Sequence, residues 1–264
     1  MSSKIKFNTF GSGKPLVLIH PLGLDSHIWD FCIEEISKTR FIMTYDLPGH
    51  GNSSLPKESY QIKDLSLDLY ESLQEHKIDQ IDCLGLSIGG MILQDLASNH
   101  QGFVDRLILV DTTYKYTPEW KENWSTRAAI ARNEGLEKMI DQFLPAFFSE
   151  AFLIQNNEAI DYCRRTLLRM NGEAYAKACE ALSACNLENE VDQIRSETLI
   201  LCGDQDNILF KDAAVWLENE IQNSKLSWLK DAQHLSSLEK QDEFIDKVLE
   251  FLNGSSHGWS SQNV

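Results

Sequence analysis

The chain has 264 residues, of which 42% are hydrophobic and 24% are charged. These values are ordinary for a globular protein and exclude a collagen, a coiled coil and a disordered chain. The 24 lysine and arginine residues face 40 aspartate and glutamate residues, giving a formal net charge of −16. A surface this acidic repels phosphate backbones and anionic lipids, so neither nucleic acid nor a membrane surface is expected as a partner.

Targeting and redox features point to one compartment. No stretch approaches the 18 consecutive apolar residues of a membrane span. The first six residues lack the apolar core of a secretory signal peptide. The six cysteines include no Cys-x-x-Cys pair. We therefore expect a cytoplasmic protein whose thiols are reduced and mostly buried.

Short apolar runs alternate with helical patterns over the first 111 residues. The predicted strands in this part are residues 5–10, 15–20, 41–46, 81–85 and 106–111. Between them, Ile62, Leu65, Leu69 and Leu73 recur at the spacing of a helix with one buried face. The strand–helix–strand alternation predicts right-handed crossovers and a mostly parallel central sheet flanked by helices, which is an α/β fold.

The pattern changes between residues 112 and 190. Strand signals disappear, and a helical, aromatic-rich segment carries five arginines: Arg127, Arg132, Arg164, Arg165 and Arg169. Strands return at residues 198–202 and 225–229. We therefore predict an α/β core formed by residues 1–111 and 191–253, a helical cap inserted at residues 112–190, and a disordered tail at residues 254–264.

A Gly-x-Ser-x-Gly motif surrounds Ser87, in the run Gly85-Leu86-Ser87-Ile88-Gly89-Gly90. The bare motif arises by chance in roughly one chain in ten of this size, so its setting decides its meaning. Here it follows a predicted strand and opens a helical run, as a nucleophile elbow requires. The glycines permit a close approach of strand and helix, and the helix N-terminus directs N–H groups at developing negative charge. This setting favours a nucleophilic Ser87 over a solvated serine in a turn.

A serine hydroxyl is a poor nucleophile near neutral pH and needs a base and a group that orients the base. Among seven histidines, His234 directly follows the last predicted strand, at the edge where parallel-sheet sites form. Three carboxylates compete for the orienting role. Asp204 and Asp206 both follow the preceding strand, and Asp111 ends an earlier one.

The chain resembles α/β-hydrolases over essentially its whole length. The segments that carry the resemblance are His20-Pro21-Leu22-Gly23, residues 46–53, the Ser87 elbow, and Gly203-x-x-Asp206 followed by His234. The order Ser, Asp, His along the chain is the order expected of this superfamily. Within it, residues 85–94, 124–127, 174–179 and 234–239 resemble the 3-oxoadipate enol-lactonases.

The resemblance implies a serine hydrolase that cleaves a carboxylic ester or lactone through an acyl-enzyme. Ser87 would be the nucleophile, His234 the general base, and Asp206 the carboxylate that orients it. The backbone N–H groups of Leu22 and Ile88 would form the oxyanion hole. The family spacing after Gly203 favours Asp206 over Asp204, whereas the residue chemistry alone leaves both open.

The cap is the expected source of substrate specificity. A substrate carboxylate that approaches a protein of net charge −16 needs a local cation, and arginine binds carboxylates bidentately. Arg127 lies three residues after Trp124, so their side chains share one helical face and can line one cavity. We therefore select Trp124 and Arg127 as candidate substrate-binding residues and expect most of the cap arginines to pair with cap glutamates on the surface.

The leading hypothesis is a hydrolase of a carboxylated enol-lactone. No metal or organic cofactor is predicted, because ligand-spaced clusters and a dinucleotide fingerprint are missing from the sequence. A general carboxylesterase or a cofactor-free perhydrolase would use the same three residues. A ligand-binding receptor on the same fold is an alternative from another class. His20 and His50 are interpreted as hydrogen-bonded loop scaffolding, and the sequence makes no prediction of oligomeric state.

Overall fold

The computed structural model of the protein describes residues 5–155 and 157–254. These residues form a seven-stranded sheet in the order β1-β3-β2-β4-β5-β6-β7. The strands are β1 (Asn8–Gly11), β2 (Lys14–Ile19), β3 (Arg40–Tyr45), β4 (Ile81–Leu86), β5 (Val104–Val110), β6 (Glu197–Gly203) and β7 (Ser224–Leu229). Strand β1 is antiparallel to β3, and every other neighbouring pair is parallel. Apart from Gly254, the predicted tail lies outside the described residues.

Helices surround the sheet, so the prediction of an α/β fold with a mostly parallel sheet is confirmed. The helices are α1 (Asp30–Ile36), α2 (Ile62–Glu75), α3 (Ile88–Asn99), α4 (Pro118–Asn133), α5 (Ile140–Phe147), α6 (Glu150–Leu153), α7 (Glu158–Arg169), α8 (Gly172–Ala184), α9 (Ile208–Glu220), α10 (Ser236–Glu239) and α11 (Gln241–Asn253). No helix in the described ranges is long and apolar enough to cross a bilayer.

The central strands are almost wholly buried, and this burial explains why they were visible in the sequence. All six residues of β4 are buried, as are six of the seven residues of β5. Because helices cover both faces of such a sheet, its strands appear as continuous apolar runs rather than alternating ones. The bounds predicted for these strands therefore differ from the observed bounds by only a few residues.

The first strand departs from its prediction. Residues 5–7 do not join the sheet, and β1 begins only at Asn8, with all four of its residues exposed at the sheet edge. Phe7 instead packs edge-on against Tyr45, with ring centroids 5.7 Å apart. The strand prediction for residues 5–7 is wrong because their apolar side chains cover the core without forming ladder hydrogen bonds.

Between β5 and β6 the chain leaves the sheet and forms helices α4 to α8. Four of these helices begin at a side chain that accepts a hydrogen bond from the first turn, and these residues are Thr117, Ser149, Asn157 and Asn171. Such caps satisfy N–H groups that have no acceptor within the helix. Helices α4 and α8 pack closely, since a Cβ atom at Gly172 would lie 2.0 Å from the Ala131 carbonyl oxygen.

All six cysteines are buried and unpaired. Burial raises the pKa of every one of these thiols. A thiol with a raised pKa stays protonated and unreactive at neutral pH. The cysteines therefore act as small apolar side chains in this fold.

Candidate active site

Ser87 occupies the turn between β4 and α3, with φ of +54° and ψ of −115°. A positive φ is uncommon for a residue with a side chain and strains the backbone. Close packing holds this turn, since a Cβ atom at Gly85 would lie 2.4 Å from the Gly89 carbonyl oxygen. The Ser87 amide donates to the Val110 carbonyl at 2.9 Å, and the Thr112 hydroxyl donates to the Ser87 carbonyl at 2.6 Å. The end of β5 therefore anchors the turn.

The structure brings together the three side chains selected from the sequence. His234 Nε2 lies 3.1 Å from Ser87 Oγ, and His234 Nδ1 lies 2.9 Å from Asp206 Oδ2. The other Asp206 oxygen accepts the Asn207 amide at 2.6 Å. An ionised carboxylate only accepts hydrogen bonds, so the contact between Asp206 Oδ2 and His234 places the imidazole proton on Nδ1. Nε2 is then free to accept a proton from Ser87.

The surroundings of His234 change its affinity for a proton. Burial by itself lowers the pKa of His234, but the charge and hydrogen bond of Asp206, with the charge of Asp111, outweigh burial. The net result is a pKa above the usual 6.5. The imidazole also packs against Phe210, with ring centroids 4.3 Å apart. This arrangement stabilises the imidazolium that forms when the ring accepts a proton.

Asp204, the first rival for the orienting role, has a different partner. Its Oδ1 atom accepts the Asp231 amide at 2.7 Å, and its own amide donates to the Leu229 carbonyl at 3.0 Å. No hydrogen bond joins Asp204 to His234 in the described ranges. Asp204 therefore stabilises the turn that follows β7.

Asp111, the second rival, is fully buried at the end of β5. Its Oδ1 atom accepts the Gly203 amide at 2.9 Å, and its Oδ2 atom accepts the amide and hydroxyl of Ser236 at 3.2 and 2.5 Å. Burial, and then the nearby charge of Asp206, raise the pKa of Asp111 above its usual range. Asp111 connects the ends of β5 and β6 with the start of α10, and it makes no hydrogen bond to His234 among the described contacts.

One group of potential metal ligands lies behind the site. Oxygen and sulfur atoms of Asp111, Cys202 and Asp206 lie within 4.8 Å of one another, and all three residues are buried. Both oxygens of each carboxylate already accept hydrogen bonds from protein groups. These oxygens therefore connect the loops of the site by hydrogen bonds, and a metal ion would have to displace those bonds.

The two amides selected for an oxyanion hole lie in the expected loops. Leu22 follows β2 and lines the cavity described below, and Ile88 opens α3 directly after Ser87. Neither amide donates a hydrogen bond within the described part of the chain. An N–H at the start of a helix has no acceptor inside that helix, so it is available to a ligand.

His20 supports the loop that carries Leu22, and the buried ring of His50 packs beside His20. His20 Nδ1 donates to the Pro21 carbonyl at 2.8 Å, and its Nε2 accepts the Leu47 amide at 2.9 Å. This pair of contacts requires a neutral ring. Burial lowers the pKa of His20, and it lowers the pKa of His50 to about 3. Both histidines therefore remain neutral scaffold residues at physiological pH.

A cavity of about 380 Å³ is lined by Ser87, Asp206 and His234. Its volume falls within the range of small-molecule sites. The cap contributes Trp120, Trp124, Arg127, Ala146, Phe147 and Tyr175 to its wall. The core contributes Pro21, Leu22, Gln205, Asn207, Phe210 and Gln233. Both candidate substrate-binding residues therefore line the same cavity as the Ser87 hydroxyl.

Arg127 is the sole lysine or arginine among the residues that line this cavity. Its guanidinium carbon lies 5.1 Å from the Trp124 ring centroid, a cation–π distance. Burial raises the pKa of the Tyr175 hydroxyl, and the charge of Arg127 lowers it by a smaller amount. Among the described residues Arg127 forms no ion pair with a carboxylate, so its charge is available to an anionic ligand.

The other cap arginines lie outside the cavity. Arg132 pairs with Glu173 and Glu180 at 2.6 Å each, as expected for a surface network. The exposed residues Arg164, Arg165 and Arg169 form no ion pair with any described carboxylate. For those three the expectation of pairing with surface glutamates is wrong, because their side chains extend into solvent.

Sequence reasoning assigned no role to several aromatic residues of the cavity wall, namely Trp120, Phe147, Tyr175 and Phe210. Trp120 and Phe147 belong to the aromatic-rich stretch of the cap. Their spacing is also that of an ordinary core face. No pattern in a single sequence distinguishes an aromatic side chain that lines a cavity from one that fills a core.

Comparison with known proteins agrees with this fold. A model of the alpha/beta hydrolase fold matches residues 14–241, and the chain belongs to this family. The 3-oxoadipate enol-lactonase 2 of Acinetobacter baylyi is 28% identical over 246 residues, which cover 92% of this chain and 91% of that protein. The resemblance inferred from the motifs is therefore confirmed.

Two further relatives show the range of the similarity. The crystal structure of the enol-lactonase from Burkholderia xenovorans LB400 matches with a TM-score of 0.90 at 29% identity, covering 95% of this chain and 96% of that one. A pimeloyl-[acyl-carrier protein] methyl ester esterase of Nitrosospira multiformis is 26% identical over 256 residues, covering 92% of this chain and 96% of that protein. Lactonases and an esterase are thus both similar to this chain.

Proposed function

We propose that this protein is a serine hydrolase that opens a carboxylated enol-lactone through an acyl-enzyme formed on Ser87. The observation that carries this proposal is the hydrogen-bonded chain from Ser87 through His234 to Asp206 in the wall of the cavity. The unpaired guanidinium of Arg127 in the same wall supports a substrate that bears a carboxylate. The enol-lactonases among the relatives support the lactone ring.

Acylation begins when Ser87 Oγ attacks the lactone carbonyl carbon while His234 Nε2 accepts the hydroxyl proton. The amides of Leu22 and Ile88 donate to the developing oxyanion, and Asp206 stabilises the imidazolium. Collapse of the tetrahedral intermediate breaks the ring C–O bond. The leaving enol oxygen takes the proton from His234, and the enol tautomerises to a ketone. This last step makes ring opening effectively irreversible.

Deacylation uses the same groups. A water molecule donates a proton to His234 Nε2 and attacks the Ser87 ester, and the same two amides hold the second oxyanion. The proton then returns from His234 to Ser87 Oγ as the acid product leaves. The chemistry therefore requires one base that acts twice and a cavity that admits water after ring opening.

Two donors in the cavity wall would bind the free carboxylate of the substrate. Arg127 supplies the charge, which a protein of net charge −16 must provide locally to attract an anion. The buried indole N–H of Trp124 has no hydrogen-bond partner in the described part of the chain. A carboxylate bound beside Arg127 would accept from both side chains.

A carboxylesterase that acts on a neutral ester is the second candidate. The aromatic rings of Trp120, Phe147 and Phe210 in the cavity wall favour it, because they suit an apolar acyl group. The esterase among the relatives favours it as well. In this alternative, Arg127 would support the cap instead of binding substrate.

A substrate panel tests the proposal. We would measure kcat/KM for a carboxylated enol-lactone, its methyl ester, a neutral lactone of similar size and a chromogenic butyrate ester. The carboxylated lactone should be preferred over its methyl ester by about 30-fold or more, because a charge-assisted contact in a sheltered pocket contributes about 2 kcal/mol. A preference for the neutral esters would favour the carboxylesterase, and no turnover of any compound would favour a ligand-binding protein.

The variant Ser87→Ala is the control for the mechanism. It should lower kcat by several orders of magnitude on every substrate of the panel while the protein remains folded by circular dichroism. Activity close to that of the unmodified protein would contradict an acyl-enzyme on Ser87.

A further inference from the structure

The backbone on both sides of His234 is tied to groups outside its own loop. The Leu235 amide donates to the Phe147 carbonyl at 3.0 Å, at the end of α5 in the cap. The Gln233 amide donates to Glu239 Oε1 at 2.7 Å. The position of His234 therefore depends on Phe147 on one side and on the Glu239 carboxylate on the other.

Glu239 itself is bound to the cap. Both of its oxygens lie 3.1 Å from the Ser149 amide, and Oε2 accepts the Ser149 hydroxyl at 2.6 Å. Ser149 is the residue that caps α6. No lysine or arginine pairs with Glu239 among the described residues. This partly buried carboxylate is therefore a hydrogen-bonded bridge between the loop of His234 and the cap.

The base must satisfy two short contacts at once, 3.1 Å to Ser87 Oγ and 2.9 Å to Asp206 Oδ2. A displacement of about 1 Å at a reacting group costs about 100-fold in rate. A loop that is held at the residues before and after His234 keeps the imidazole within that tolerance.

We propose that Glu239 is a positioning residue, which joins the cap to the loop of His234 and holds the imidazole in line between Ser87 and Asp206. This inference rests on the proposed function, since it concerns how the base of that reaction is presented. The cap then has two roles: its side chains enclose the cavity, and its backbone and Ser149 support the base.

Other links between cap and core provide matched controls. The Tyr162 hydroxyl donates to Asp25 Oδ1 at 2.8 Å, and Lys177 Nζ donates to the carbonyl oxygen of Pro56 at 2.8 Å. Both links fasten the cap to loops of the core, but neither involves the loop of His234. Removal of the Tyr162 hydroxyl therefore weakens cap docking without disturbing the support of the base.

The test compares Glu239→Ala, Glu239→Gln and Tyr162→Phe. For each variant we would measure kcat and KM on the best substrate of the panel, the rate at which a fluorophosphonate labels Ser87, and Tm. Glu239→Ala should lower kcat and the labelling rate about 100-fold while KM changes by less than about threefold. Glu239→Gln should recover kcat to within about tenfold, because its amide oxygen accepts the Gln233 amide and its NH₂ group donates to Ser149 Oγ. Tyr162→Phe should keep kcat within about twofold.

Three outcomes would overturn this role of Glu239. They are an unchanged kcat in Glu239→Ala, an equal fall of kcat in Tyr162→Phe, and no recovery in Glu239→Gln. If Glu239→Ala does not fold, Ser149→Ala tests the same bridge, because it removes one hydroxyl from it. This variant should lower kcat about fivefold at constant KM, since one hydrogen bond contributes about 1 kcal/mol. An unchanged kcat would also overturn the role of Glu239. A different result would contradict the proposed function itself: the fluorophosphonate would fail to label Ser87 in the unmodified protein.

Discussion

The carboxyl edge of the sheet and the cap contribute to the site in different ways. At the sheet edge, Ser87, Asp206 and His234 follow β4, β6 and β7. Backbone hydrogen bonds hold the Ser87 turn to β5 and the loop of Asp206 to the loop of His234. In the cap, Trp124 and Arg127 belong to one helix, α4, which packs closely against α8 at Gly172. In the proposed function, the edge supplies the reacting groups, which act on every substrate alike, and the cap supplies substrate selection in addition to its support of the His234 loop.

This division predicts that changes at the sheet edge affect all substrates alike. Asp206→Asn should lower kcat about 10⁴-fold on charged and neutral substrates, because it removes the acceptor that keeps the His234 proton on Nδ1. Asp204→Asn should cost less than about tenfold, since Asp204 supports a turn. Kinetics of both variants on the carboxylated lactone and on a neutral ester provide the measurement. Equal losses from the two variants would show that the assignment of the orienting role to Asp206 is wrong.

A change in the cap should discriminate between substrates. Arg127→Ala should lower kcat/KM about 30- to 150-fold on the carboxylated lactone, which corresponds to roughly 2–3 kcal/mol of a charge-assisted contact. On a neutral ester of similar size the loss should stay below about threefold. Arg132→Ala, which removes an exposed arginine paired with Glu173 and Glu180, is the matched control and should affect neither substrate. Equal effects of Arg127→Ala on both substrates would show that Arg127 supports the cap, and the carboxylesterase would become the leading function.

The smallest expected effect is a change in the pH dependence of stability, which arises from the buried histidines His20 and His50. Burial lowers the pKa of His20 and lowers that of His50 to about 3, whereas an unfolded chain titrates its histidines near 6.5. Below about pH 6.5 the unfolded state therefore binds protons that the folded state does not, and stability falls as the pH falls. Each such histidine contributes a slope of up to about 1.4 kcal/mol per pH unit.

Urea unfolding between pH 7 and pH 4.5 measures this slope. His50→Gln should show a shallower decline than the unmodified protein, because one of the two buried histidines no longer titrates. A decline of the same slope in both proteins would show that His50 does not contribute to the acid sensitivity.

The sequence carried much of the fold because buried parallel strands are local features. The Ser87 elbow was visible for the same reason, since strand, glycines and helix are contiguous. The choice between Asp204 and Asp206 was not visible in the residue chemistry. Both follow β6 within three residues. They are separated by three-dimensional contacts, since Asp206 bonds to His234 and Asp204 accepts the Asp231 amide.

The links between cap and core were out of reach of a single sequence. Ser149 and Glu239 stand 90 residues apart, and neither lies in a pattern that indicates the other. The same holds for Tyr162 and Asp25, which are separated by 137 residues. Such pairs depend on how helices α5 to α8 pack on the core, and tertiary packing, not local helix propensity, determines that arrangement.

The positive φ of Ser87 has a consequence for how this chain changes over generations. A residue with a side chain in that region costs about 1–3 kcal/mol of stability, whereas glycine adopts it freely. A descendant that no longer used the hydroxyl would gain stability by exchanging this serine for glycine, so mutation and drift would tend to erase the elbow. In the proposed function, the hydroxyl of Ser87 is the reason why a serine and not a glycine occupies this turn at φ of +54°.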